Sequence, residues 1–433
     1  MGSHARTLGP VTATMLVVAS MVGTGVFTTT GFLVGDIGSN PAVLACWALG
    51  GVLALAGALT YGELASAIPE NGGEYLLLSR IYHPSVGFVA GWISLIVGFS
   101  APIAAAALAF SRYLAAVFPG LPELPVSLAL IAVLSGVHCL RLELGSGFQN
   151  ALTIGKTVLI LAFIVGGLWL GSPARCLEPG SVPMGQALFS SGFAVGLIFI
   201  SFSYQGWNAS LYIAGELRRP ERWLPLSLVL GTLLVALLYL GLNAVFLAAV
   251  PAEELAGQLE VGHLAAVALF GEGAARVLST IIAVGLISTV GAYIMTGPRV
   301  YEAMGQHFPG LRFISGRVQG GGPVRSILMQ GGVAAIMVAT ASFDTLLTYT
   351  GFTLSAVAGL AVVGVIVLRF REPDLPRPYR TWGYPFTPIL FVLLMLWMMG
   401  HAVVDRPAVA LAGALTVGVG FVLWWFFERG RSA

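Results

Sequence analysis

The sequence holds a single lysine, Lys156, in Gly155-Lys156-Thr157 with apolar residues on both sides, whereas every other Lys/Arg position is arginine. An ammonium within a membrane span costs on the order of 3 kcal/mol on translocon scales, so it demands a role or an escape. Burial can make a lysine proton labile, which suits a proton carrier or a fixed charge coupled to a conformational change. The competing reading is a side chain that snorkels to the interface. Two other stretches could bind polar solutes. Met21-Val22-Gly23-Thr24-Gly25-Val26-Phe27 places two glycines in a long apolar run, and a helix that unwinds there would start again near Thr24 with free N–H groups aimed at an anion such as a carboxylate. A packing face of small residues, or a kink, is the alternative. Phe202-Ser203-Tyr204-Gln205-Gly206-Trp207-Asn208 is a polar and aromatic interruption of a second apolar run.

Other candidates carry less. Gly31 falls outside the GxGxxG spacing and no strand precedes it, and Gly320-Gly321-Gly322-Pro323 lacks the context of a phosphate-binding loop. His138, His263, His307 and His401 are scattered without HxxxH spacing, and Cys46, Cys139 and Cys176 form no CxxC pair, so neither a metal nor a disulfide framework is implied. No cofactor is called for. Glu63, Glu70 and Glu74 gather at one end of a span; interfacial salt bridges to Arg80 or neighbouring arginines account for them better than acid–base chemistry.

The elements that must position these residues follow from composition. Of 433 residues 57% are hydrophobic and 9% charged, against about 25% charged in a soluble domain. Apolar runs long enough to cross hydrocarbon as helices recur at 11–36, 41–68, 84–114, 126–142, 147–170, 187–216, 224–250, 273–304, 325–341, 344–370, 386–404 and 407–427. The expectation is an all-α membrane protein of twelve transmembrane helices in a single domain, 1–433. The leading segment MGSHARTLGP is too short and polar for a cleavable signal peptide, so insertion is expected to rely on the first span. With both termini cytoplasmic, Arg112, Arg175, Arg276 and Arg406 fall outside and the remaining arginines inside, a strong positive-inside bias. The net charge of +2 forms no basic run and gives no reason to expect nucleic acid.

The two interruptions sit in matching places, each in the first span of a five-helix unit. Repeat one would cover about 10–170 and repeat two about 187–370, with two extra helices at about 386–427. That order is the pointer to an inverted-repeat transporter with its site near the midplane.

Several motifs together resemble the amino acid–polyamine–organocation (APC) superfamily with its LeuT-type 5+5 inverted repeat. They are Gly23-Thr24-Gly25-Val26-Phe27, Tyr61-Gly62-Glu63-Leu64, Ile68-Pro69-Glu70-Asn71-Gly72-Gly73-Glu74-Tyr75, and Tyr204-Gln205-Gly206-Trp207-Asn208 continuing to Glu216-Leu217-Arg218-Arg219-Pro220. The Gly-Trp-Asn piece is most similar to the L-type amino acid transporter branch and its bacterial relatives. The resemblance implies that the backbone of Gly23, Thr24 and Gly25 holds a substrate carboxylate. Carbonyls near Met21, Phe202, Ser203 and Gln205 would receive its ammonium, with Phe202 as an aromatic lid and Asn208 as a side-chain contact. Gln205 replaces the small residue of many relatives and argues against a very large substrate. A lysine in the fifth helix resembles the replacement for a sodium ion in sodium-independent members, which would bring Lys156 to the backbone near Val22 and Gly23 and to Ser288 or Thr289.

No Asp or Glu lies inside either interruption, so neutral L-amino acids are expected, carried by alternating access as proton-coupled symport or exchange. Cationic amino acids or polyamines, and a non-transporting sensor on the same scaffold, are the alternatives. An enzyme would need paired titratable groups at membrane depth, and the sequence offers none. The expected partners are an amino acid and the lipid bilayer of the cytoplasmic membrane, with a homo-oligomer or accessory subunit left open.

Overall fold

Peptide groups that meet hydrocarbon must be satisfied within the chain, and α-helices do this locally. The computed structural model describes residues 8–69, 72–140, 146–315 and 323–432. Arg6, Glu70, Asn71, Arg141, Arg317 and Gly320–Gly322 lie outside them. Among the described residues there are helices and no strand.

The chain runs through α1 (Pro10–Met21), α2 (Gly25–Ile37), α3 (Asn40–Ala67), α4 (Gly73–Ile81), α5 (Pro84–Ile93), α6 (Ala101–Val117), α7 (Glu123–Cys139), α8 (Ser146–Leu170) and α9 (Met184–Ala187). It continues through α10 (Ser191–Ser203), α11 (Pro220–Ala249), α12 (Ala252–Leu255), α13 (Val261–His307), α14 (Arg312–Ser315), α15 (Val324–Thr340), α16 (Phe343–Arg371), α17 (Phe386–Asp405) and α18 (Pro407–Ser432). Among the described residues eight helical stretches are long and apolar enough to cross a membrane, and the bent pair α1–α2 makes a ninth. The expected spans four, six and nine appear as shorter apolar helices, α7, α10 and α15.

Local chemistry explains where the expected boundaries move. The third span is one continuous helical path, but Ser94–Ser100 between α5 and α6 is a π-helix. Pro102 stands just beyond it with no N–H to give to the Gly98 or Val97 carbonyl, and within the π-turn the Ser100 hydroxyl donates to the Leu95 carbonyl at 2.7 Å. The sixth span is not one α-helix to residue 216: α10 stops at Ser203, and Ala209–Glu216 winds as a 3₁₀-helix. The eighth begins earlier than residue 273, because α13 runs back to Val261 across a kink at Gly271, whose φ of 79° favours glycine. The segment after span two, read as loop, contains α4, whose Glu74 in the first turn and Arg80 in the last complement the helix dipole.

Burial separates centre from periphery. Within their most apolar windows, 83% of Pro84–Val117 is buried against 22% of Thr153–Leu170 in α8 and 17% of α18. The α5–α6 path therefore runs through the middle, and α8 and α18 face outward. Helix α11 packs along α3 and α1, and α10 packs between α2, α16 and α17.

One ion network ties the ends of α3 and α16 together. Glu63, 2% exposed, accepts both Nε and Nη2 of Arg369 at 2.9 and 2.7 Å, and the Thr381 amide at 2.7 Å. Arg377 Nε stands 3.4 Å away, and Arg369 also lies over the Tyr384 ring. The expected partner Arg80 pairs instead with Glu372 at 3.1 Å, because α4 points it toward the end of α16. Removing Arg369 leaves a buried carboxylate short of its bidentate partner, so Arg369→Gln should cost about 3 kcal/mol. Thermal unfolding of purified protein in detergent reads this: Arg369→Gln should melt several degrees lower, with Glu63→Gln restoring part of the loss, and an unchanged melting curve refutes the clamp.

Candidate functional site

The two interruptions meet. Between α1 and α2 the chain bends by 40°, and Val22, Gly23 and Thr24 carry no helical assignment. Helix α2 then starts from Thr24 without any side-chain cap, and of its first N–H groups that of Phe27 turns back to the Thr24 carbonyl at 3.0 Å. On the other side α10 ends at Ser203, and Gly206 turns the chain with φ 101°. A side chain at Gly206 would collide with the backbone of Ser20, whose carbonyl carbon would lie 2.7 Å from the added carbon. A Cβ on Gly25 would likewise overlap Ser203. Glycine is thus needed at both places for the breaks to touch.

Hydrogen bonds join them as well. The Thr29 and Ser203 hydroxyls are 3.0 Å apart. Tyr239 of α11 places its hydroxyl 2.5 Å from the Met21 carbonyl and 3.1 Å from that of Ser203, donating toward both. The Gly23 N–H also reaches Met21 O at 2.7 Å, and the Gln205 N–H caps Phe202 O at 2.9 Å. One turn beyond Tyr239, the Asn243 carboxamide oxygen accepts the Thr30 hydroxyl. Where the chain leaves the site, Leu8 and Leu217 form a parallel bridge, with Leu8 N to Glu216 O at 3.1 Å and Arg218 N to Leu8 O at 3.0 Å.

Lys156 turns inward from the outward-facing α8. Its ammonium donates to the Val22 carbonyl at 2.5 Å. Thr289 lies beside it across the first break, its hydroxyl donating to Gly285 O at 3.1 Å. Gly23, Lys156 and Thr289 share an otherwise apolar groove of about 500 Å³, open mouth included, with Phe27, Phe163 and Phe246. Ser288, the other expected neighbour, lines neither this groove nor the next cavity.

A second cavity of about 870 Å³, open mouth included, lies against the second break. Gln205, Gly206, Trp207 and Asn208 form one wall, and Ser20, Phe99, Tyr212, Thr289 and Tyr293 form others. Of the expected substrate residues, Gln205 and Asn208 reach this cavity. Met21, Thr24, Gly25, Phe202 and Ser203 are buried and line neither hollow.

Glu74 is the residue that the sequence reading misplaced. Instead of an arginine, its carboxylate accepts the Asn208 carboxamide, the Tyr212 hydroxyl at 2.8 Å and the Tyr61 hydroxyl at 3.4 Å. It is 7% exposed and lines the cavity. Among the described residues it forms no ion pair.

Comparison with known proteins identifies the family. The family model for amino acid permeases matches residues 8–426. The chain belongs to the amino acid permease family. This permease is 29% identical to the serine/threonine exchanger SteT of Bacillus subtilis (strain 168), across 92% of this chain and 91% of that one. It is 30% identical to the human b(0,+)-type amino acid transporter 1, across 93% and 83%. To the mouse large neutral amino acids transporter small subunit 2 it is 28% identical, across 93% and 77%. The permease is therefore a multi-pass membrane protein of the APC superfamily, and its family is one of transporters rather than enzymes.

In this permease sequence reasoning passed over Tyr239 and discounted Glu74. Glu74 lay inside the quoted Gly72-Gly73-Glu74-Tyr75 motif, which was the available signal. In Glu74→Gln one side-chain oxygen becomes a donor facing other donors, leaving Tyr212 or Asn208 unpaired at about 1–3 kcal/mol. Uptake by Glu74→Gln in proteoliposomes should fall roughly tenfold, with Glu74→Asp retaining more; a rate within twofold of wild type shows that the carboxylate is dispensable.

Proposed function

We propose that the protein is a sodium-independent secondary transporter of neutral L-amino acids that works by alternating access, as amino acid exchange or proton-coupled symport. The observation that carries this reading is the convergence of the two breaks: uncapped N–H groups at the start of α2 face the carbonyl-rich end of α10, and a lone ammonium stands on the Val22 carbonyl. The first set suits a carboxylate and the second an ammonium, so the pair is complementary to a zwitterion.

In this reading the backbone of Gly23, Thr24 and Gly25 takes the carboxylate. Carbonyls at Met21, Phe202, Ser203 and Gln205 take the ammonium, and Phe202 closes the outer side. Gln205 and Asn208 shape the side-chain pocket, where the bulk of Gln205 favours small and medium side chains. Lys156 occupies the place of a coupling cation, supported by its contact with Val22 O and its proximity to Thr289; Ser288 is the more remote member of that group. The site would then be exposed alternately to the two sides as α1–α3, α10 and α11 rock against the remaining helices.

The architecture proposed with it is a single domain of twelve membrane helices in a 5+5 inverted repeat plus two, set in the cytoplasmic membrane with both termini inside. Eight long apolar helices, one bent pair and three shorter ones support that count. The Bacillus relative's name gives an exchanger of serine and threonine, which supports exchange and a small neutral substrate. Glu74 in the cavity wall favours a second reading, in which a cationic side chain is also accepted.

Proteoliposomes supplied with labelled alanine, serine, leucine or arginine test both. Neutral uptake should rise with preloaded amino acid and stay the same when choline replaces sodium. Arginine uptake with none of the neutral solutes would overturn the preference. In the same assay Lys156→Ala strands the Val22 carbonyl without its cation and should slow uptake at least roughly tenfold; wild-type rates in that variant would falsify the coupling role.

A further inference from the structure

The cavity beside the second break joins an acidic group to aromatic walls. Among the described residues that line it, Glu74 alone carries a charge, and none of the donors that hold its carboxylate brings a positive one. Asn208 and Tyr61 reach Oε1, and Tyr212 reaches Oε2 at 2.8 Å. A carboxylate has room for about four donors, so three leave a position open on Oε2. At 7% exposure the group also has little water to offset its charge. Phe99, Trp207, Tyr212 and Tyr293 all line the same hollow, and Tyr212 and Tyr293 stand edge-on to Phe99 with ring centroids 6.1 and 6.4 Å away. Aromatic faces attract a cation that comes within about 6 Å of the ring centroid.

A carboxylate without a counter-ion among aromatic rings is what an organic cation requires. Among the described residues no lysine or arginine lines the cavity, and Thr24 and Gly25 at the start of α2 do not reach it. A free carboxylate thus finds no countercharge there, and the chemistry selects an ammonium that stands clear of one. We propose that this cavity is a binding site for an alkylammonium group, separate from the two breaks, with Glu74 as counter-ion and Phe99 and Tyr293 as aromatic walls. The group comes from a free amine or from the end of a substrate's side chain; in the second case the inference deepens, and rests on, the reading in which a cationic side chain is accepted.

Calorimetric titration of the purified, full-length permease with n-butylamine, an ammonium at neutral pH, tests this without any transport step. The neutral n-butanol should bind at least roughly tenfold more weakly, and equal affinities for the two overturn the site. Saturating L-alanine should leave amine binding within about twofold, because alanine has no second ammonium. Displacement by alanine would assign the amine to the position of the substrate's own ammonium and overturn the proposal. Displacement by L-lysine but not by alanine supports the site with a side chain as its occupant, and displacement by neither supports it with a free amine. Alanine binding, titrated in parallel, checks the neutral-substrate reading, whose failure leaves the amine result standing. Glu74→Gln should weaken amine binding at least roughly tenfold while Glu74→Asp keeps most of it, and unchanged affinity in Glu74→Gln overturns the proposal. Phe99→Leu, which leaves the carboxylate and its donors in place, should weaken binding about threefold and carries the test if size-exclusion profiles show that Glu74→Gln is not folded; there, unchanged affinity is the overturning result.

Discussion

Every feature of the centre follows from one constraint: a peptide group at membrane depth has no water to turn to, so a helix opened there must find its partners inside the protein. This chain opens two helices, after Met21 and after Ser203. It then supplies partners from neighbouring elements. Tyr239 reaches Met21 and Ser203, Lys156 reaches Val22, and local N–H groups of Gly23 and Gln205 fold back on Met21 and Phe202. The supply is incomplete at the start of α2, which has no side-chain cap, and shared at Tyr239. Those two shortfalls are of opposite sign, free donors in one place and surplus acceptors in the other. In the proposed reading a solute carrying both a carboxylate and an ammonium answers both.

The charged residues divide by the same logic. Glu63 is surrounded by arginines and a backbone amide, and its pairing consumes the charge in holding α3 against α16 and the segment after it. Among the described residues Glu74 is held by neutral donors, Asn208, Tyr212 and Tyr61. The 3₁₀ segment after the second break hangs on it through Tyr212, which links what enters the cavity to the position of that segment.

How much of this could be read beforehand depends on the range of the interaction. The breaks were legible because glycine and polar residues in an apolar run are local signals, visible at Gly23–Gly25 and at Ser203–Asn208 without any knowledge of neighbours. Lys156 was legible because an isolated ammonium must go somewhere, and its contact with Val22, 134 residues away, was expected from the family likeness rather than from the residue itself. Glu74 was misread because its donor Asn208 is likewise 134 residues distant, whereas Arg80 was near in sequence and a plausible partner. Tyr239 carried no signal at all: one tyrosine in an apolar helix looks like a packing aromatic, and only the fold reveals that its hydroxyl ends at two carbonyls. The extension of α13 back from residue 273 to Val261 was not read, and the helix passes a kink at Gly271 on the way.

The placement of polar groups on α4 and α11, rather than within the breaks, has a mechanical consequence. If side chains of the broken segments themselves satisfied the open peptides, the site would be complete in every conformation and indifferent to the motion of its neighbours. Glu74 arrives from α4, outside the group of α1–α3, α10 and α11 proposed to rock together, so the satisfaction of Asn208 beside the second break depends on how α4 sits against that group. In the proposed motion a rearrangement of α4 against that group would change the affinity of the centre, and a ligand that supplies the missing donors would favour the arrangement that needs them. Coupling between binding and movement then requires no dedicated relay. It follows from having divided one set of hydrogen bonds among helices that can move apart.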